Sequence, residues 1–159
     1  MGILTDLVRG KRVHVDPIAA LDGLPWELAG ARVAHHPHTI WQLLGHLNYW
    51  IDYGLRLIET GGITPPKHAA EGWPQADGPA DEAAWLHEVA LFRTNLGQLA
   101  ALADARASTL NRMVDKETGK TVEAVLWELV VHNSHHLGQI VQLRQALEAW
   151  PPPGGGMTW

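Results

Sequence analysis

The sequence predicts an all-α protein, a four-helix bundle. Two observations carry this. Apolar residues recur at three- and four-residue spacing along three long stretches, and segments rich in glycine and proline separate those stretches. The sequence also contains no internal repeat and no convincing strand signal. Helices joined in this way pack as a bundle around one core.

Ile3, Leu4, Leu7 and Val8 give a short amphipathic helix ending near Gly10. Asp16-Pro17 starts a second short piece through Leu21, with Pro17 suited to a first helical position. Gly23, Pro25 and Gly30 mark an irregular region that Pro37 closes. The first long helix is expected from Thr39, its N-cap, to Thr60. Its core stripe is Ile40, Leu43, Leu44, Leu47, Ile51, Leu55 and Ile58, and Gly61-Gly62 stops it. Residues 61–79 read as a long connection, a length that is usually functional or a crossover. The second long helix is expected from Ala80 to Ala105, with Asp81 and Glu82 at the positive end of its dipole. Trp85, Val89, Phe92, Leu96, Leu99 and Ala103 form its seam. The last helix is expected from Thr121 to Glu148, before Trp150 and Pro151-Pro152-Pro153.

A length of 159 residues suits one domain over 1–159, with residues 150–159 as a Pro/Gly-rich tail. The composition, 46% hydrophobic and 18% charged, is that of a globular protein. A formal charge of −5 argues against nucleic-acid binding through a basic surface. The N-terminus has no apolar core of the kind a secretion signal needs. The longest stretch free of Asp, Glu, Lys and Arg, Val33 to Ile51, contains four histidines and reads as no membrane span. The expected location is the cytoplasm. With no cysteine, any metal must be held by His, Asp or Glu, and any thiol chemistry needs a thiol from outside.

Three of the ten histidines fall within five residues of the last helix. His132 and His136, four apart, lie roughly 40° apart on one face, one turn above the other. That spacing lets two imidazoles share a metal ion. They align with Leu129, Ile140 and Leu143 on the apolar stripe, whereas His135 aligns with Glu128 and Gln142 and is expected to be exposed. The competing reading is a pair of core histidines bonded to side chains or water. A third ligand must come from elsewhere, and His46, mid-helix beside Gly45, is the best candidate. Gln42, Tyr49, Trp50 and Tyr53 share its face and are expected to line a pocket, with Gln139 a further pocket candidate. His35, His36 and His38 flank Pro37 in a loop and are expected to be solvated; His14, His68 and His87 are expected to be isolated and exposed. Glu128, one turn before His132, is a candidate acceptor to orient that ring, set against a plain solvated carboxylate.

The segment Thr39-Ile40-Trp41-Gln42-Leu43-Leu44-Gly45-His46-Leu47 resembles the first metal-binding helix of the DinB/YfiT-like proteins. Val131-His132-Asn133-Ser134-His135-His136-Leu137-Gly138-Gln139-Ile140 resembles their His-x-x-x-His helix, and the closing Trp150 to Trp159 is similar to tails in that family. The resemblance covers nearly the whole chain. It implies a four-helix bundle, up-down-down-up in topology, that binds one divalent metal. Position by position, the implied triad falls on His46, His132 and His136. Leu137 departs from the arginine that many members carry after the paired histidine. Some relatives are thiol-dependent transferases or hydrolases that use low-molecular-weight thiols such as bacillithiol or mycothiol.

Three neutral imidazoles leave the double charge of an ion uncompensated, so such a site polarises a carbonyl, acidifies water or holds a thiolate. Zinc is the first choice of metal, with nickel or iron also suited to imidazole. The expected function is therefore a metal-dependent thiol S-transferase or hydrolase acting on a small-molecule substrate. The alternative is a non-catalytic metal-binding or dimerising bundle, and a homodimer is compatible with either.

Overall fold

Helix ends in this chain are set by side-chain caps, and the computed structural model, which describes residues 2–11 and 13–156, shows them directly. The long helix α3, Ile40–Thr60, begins with a complete capping box. The Thr39 side chain accepts from the Gln42 backbone N–H, and the Gln42 side chain accepts from the Thr39 N–H. Asp81 caps the helix α4, Glu82–Ala103, by accepting from Ala84 N–H. Thr121 caps α6, Val122–Ala146, by accepting from Ala124 N–H. Among the described residues there are also three short α-helices, α1 (Ile3–Val8), α2 (Trp26–Ala29) and α5 (Ala107–Leu110), and two 3-10 turns, Ala19–Leu21 and Ala69–Gly72. The all-α class expected from the sequence is the class observed.

Helix α3 lies between α4 and α6, and α1 closes over both of those. Ile40, Leu43, Leu44, Leu47 and Ile51 of α3 are buried together with Phe92 and Leu99 of α4 and with Leu126, Ile140 and Leu143 of α6. Burying a side chain of this size stabilises the fold by about 1.5–3 kcal/mol each before entropy is counted. Inside this apolar seam, the Asn95 amide donates to Asn48 Oδ1, and the Asn48 amide donates to the Glu88 carbonyl and carboxylate. These bonds form a polar link between α3 and α4.

The expectation of no strands needs correction. Met113–Asp115 (β1) and Lys120–Thr121 (β2) pair antiparallel, with Met113 opposite Thr121 and Asp115 opposite Lys120. Segments this short show no alternation to read. Their turn rests on the Asp115 carboxylate, which accepts from Glu117 N–H and from the Thr118 hydroxyl, and on Gly119 at φ 70°.

The long connection 61–79 is fastened to the start of α3. Arg32 pairs with the Asp77 carboxylate, Thr39 Oγ1 donates to the Asp77 carbonyl at 2.6 Å, and Gln42 Nε2 donates to Asp77 Oδ1 at 3.2 Å. Pro74 of this segment packs closely on Gly45, where any Cβ would stand 2.4 Å from the proline Cγ. The far end of the chain is fastened by Arg144, only 2% exposed. Its guanidinium donates to the Ala20, Asp22 and Ala149 carbonyls and lies over the Trp150 ring. The tail expected from 150 on holds no helix or strand through residue 156; Met157, Thr158 and Trp159 lie outside the described residues. Among the described residues, no helix is long and apolar enough to cross a membrane.

Candidate metal centre

His46 projects from the middle of α3 toward His132 and His136 on α6. Nitrogen atoms of all three rings, one from each, lie within 4.8 Å of one another. His46 Nε2 is 3.2 Å from His132 Nε2. Two imidazoles on one zinc ion, each at about 2.0–2.1 Å, place their nitrogens at about this separation. His46 and His136 are buried and His132 is half-buried.

The other ring nitrogens decide which atoms face inward. His46 Nδ1 is 2.7 Å from the Gly72 carbonyl. A carbonyl only accepts, so Nδ1 carries the proton and Nε2 keeps its lone pair. His136 Nδ1 donates to Gln139 Oε1 at 2.7 Å, which leaves Nε2 of that ring as the free acceptor. The remaining amide nitrogen of Gln139 faces the exposed His135 at 3.4 Å. His132 Nδ1 and Asn133 Oδ1 are both buried without a hydrogen-bond partner.

Burial dominates the electrostatics. It lowers the His46 pKa to about 4, with the Gly72 bond opposing and the His136 and His132 rings adding to the shift. Burial likewise lowers His132 to about 4, reinforced by the His136 charge, with Asn133 pulling the other way. His136 is also lowered, again mainly by burial. All three rings are therefore neutral at pH 7, the form that donates a lone pair to a metal. Two locked tautomers and three converging nitrogens form a cluster that could hold a metal ion.

The structure adds two residues that sequence reasoning missed. Gly72 supplies the carbonyl for His46, and a Cβ there would press on Tyr49 and Trp50 at 3.2 Å. Trp73 stacks on His46 with ring centroids 3.7 Å apart and 10° between planes. His38 stacks on the same indole at 3.7 Å and 9°. Both residues lie in a connection with no periodicity. The available signal was the tryptophan itself, since an indole in a Pro/Gly-rich loop needs a surface to cover.

The other expected residues divide. Trp50 meets both His46 and His132 edge-on, at 6.3 Å between centroids, and with Tyr53 it lines a cavity that reaches His132. Tyr49 instead lines a separate groove with Trp41 and Trp73. Gln139 orients His136, and Gln42 serves as a cap. Glu128 is exposed and bonded to Lys120 Nζ at 2.9 Å, so it does not orient His132. His38 is half-buried, not solvated, because it covers Trp73. His14 is also half-buried: its Nε2 is 2.7 Å from Ser134 Oγ, and its Nδ1–H donates to the Val15 carbonyl at 2.8 Å. His68 and His87 are exposed, as expected. Leu137 is 2% exposed and packs with Val15 and Ala20, away from the triad.

No curated protein and no solved structure matches the chain. A family model described as the DinB superfamily matches residues 14–140, a span that includes His46, His132 and His136. With a helical fold, a histidine cluster on two of its long helices and a family match over most of its length, the chain belongs to the DinB superfamily.

Proposed function

We propose that this protein is a divalent-metal-dependent enzyme, a thiol S-transferase or a hydrolase, acting on a small molecule. His46, His132 and His136 are the metal ligands in this reading. The observation that carries it is the convergence of three neutral imidazoles, two of them held with Nε2 inward by the Gly72 carbonyl and Gln139. Zinc is the first choice, with nickel or iron next. Once bound, the ion supplies Lewis acidity for a carbonyl or for an acidified thiol or water.

The chain's own residues supply orientation and dryness. Gly72 and Gln139 hold two rings in one tautomer, and Trp73 and Trp50 cover His46 from the loop side and the helix side. Because the chain has no cysteine, a thiol reaching the centre comes from a low-molecular-weight cosubstrate. Among the described residues no carboxylate is hydrogen-bonded to the triad, which favours the thiol reaction, since a thiol surrenders its proton near neutrality without a strong base.

Elemental analysis of untagged protein, purified without added metal, beside His136→Ala tests the reading. About one equivalent of a transition metal, lost in the variant, supports it. No metal in either, and none bound on titration, overturns it in favour of a bundle with core histidines. With metal in place, turnover of an electrophile only in the presence of bacillithiol or mycothiol identifies a transferase. Turnover without a thiol identifies a hydrolase.

A further inference from the structure

A cavity of about 440 Å³ lies between α3 and α6 and ends at His132. Its inner wall is Trp50 and His132, the ring pair that also meets His46. Its sides are Leu57 and Tyr53 from α3 and Val125 and Leu129 from α6. The two helices come close here because α3 carries Gly54, where a Cβ would stand 2.7 Å from Leu129 Cδ1. Among the described residues, the charged side chains on the lining are Lys120 and Glu128, and they bond to each other at 2.9 Å. The walls thus offer apolar contact and aromatic surface, with a self-neutralised charge pair and no free ion to recognise a charged ligand.

We propose that this cavity holds the uncharged apolar body of the substrate, one or two rings or an equivalent aliphatic group, with its reactive polar head toward His132. The substrate class rests on the metal reading of the same centre; the cavity's preference for an apolar body does not. An engineered protein cavity of roughly 150 Å³ binds benzene, so the volume here accommodates a two-ring body. Free polar groups on such a body would lose water without gaining a partner. Specificity for the body is therefore set by shape and apolarity, and chemistry is confined to the end where His132 stands.

The test uses the whole chain loaded with cobalt(II), whose absorption reports thiolate binding, and two thiols of different bulk. 2-Naphthalenethiol is expected to bind at least tenfold more tightly than 2-mercaptoethanol after correction for their thiol acidities. Val125→Phe fills the cavity from a buried wall, and Glu128→Trp lays an indole across its exposed rim. Each is expected to reduce the ratio of the two affinities at least fivefold. Equal corrected affinities, or a ratio that survives in both variants with native circular dichroism, overturn the proposal. A second arm follows 2-naphthol binding to metal-free protein by saturation-transfer NMR. Binding that both variants weaken supports the cavity even if cobalt never binds and the metal reading fails. Absence of 2-naphthol binding overturns the cavity even if cobalt binds.

Discussion

The imidazole of His46 and the indole of Trp73 lie face to face, 3.7 Å between centroids and 10° from parallel. His38 lies equally close and parallel to the same indole, so the two imidazoles occupy its opposite faces. A loop residue thus fixes the ring plane of a helix residue. Trp73→Ala is expected to weaken zinc or cobalt binding by about tenfold or more, the range seen when groups supporting a ligand are removed. Competition against a chromophoric chelator measures this. Unchanged affinity would show that the indole is only a cover.

Gln139 acts on His136 through one bond, Nδ1–H to Oε1 at 2.7 Å. Gln139→Leu removes the acceptor and frees the ring to turn or change tautomer. Metal affinity is expected to drop about 10- to 100-fold. Gln139→Glu keeps an acceptor in place and is expected to hold affinity within a few-fold of the parent. A similar loss in both variants would assign Gln139 to packing instead.

The depressed histidine pKa values give metal-free protein a defined acid response. His46 and His132 titrate at about 4 in the fold and near 6.5 when unfolded. Between those values the unfolded chain binds more protons, so stability falls as pH falls. The contribution is complete above about pH 6.5 and is lost progressively as pH drops toward 4. Thermal unfolding from pH 7.5 to 4 is expected to show Tm declining through that window, with a shallower decline in His46→Gln/His132→Gln. A decline of equal slope in both proteins would place the acid sensitivity elsewhere.

Gly45 separates helix propensity from packing. Alanine is the better helix former by about 1 kcal/mol, so propensity alone predicts that Gly45→Ala stabilises α3. The added Cβ would stand 2.4 Å from Pro74 Cγ, however, and must push the loop away. Overpacking of this kind costs about 1–3 kcal/mol. Chemical denaturation is expected to show net destabilisation, together with weaker metal binding because Gly72 and Trp73 ride on the same segment. A gain in stability would refute the close contact.

The three long helices were legible because each repeats its apolar stripe over five or more turns and opens with Thr39, Asp81 or Thr121. Their ends shifted slightly: α4 stops at Ala103 and α6 at Ala146, before Glu148 takes φ 56°. The grouping of His132 with His136 followed from helical spacing, and His46 from its place on a facing apolar helix. Contacts that cross between elements were not legible. Gly72 reaches His46 from 26 residues away, and His14 reaches Ser134 from 120 away. Both start from irregular segments, where no period says which way a side chain points. The pairing of Glu128 was not legible for a related reason: its partner Lys120 sits on a two-residue strand that gives no sequence pattern.

His46 and His132 are 86 residues apart in the chain, whereas His132 and His136 are separated by one helical turn. An ion shared by all three therefore has a local half and a remote half. Two of the three positions are set by α6 alone, one turn apart. The third closes a loop whose entropy cost is about 4 kcal/mol before the constant term, and only a docked α3 can supply it. An ion held by all three would therefore tie α3 to α6, and its affinity would report how firmly the two helices are docked.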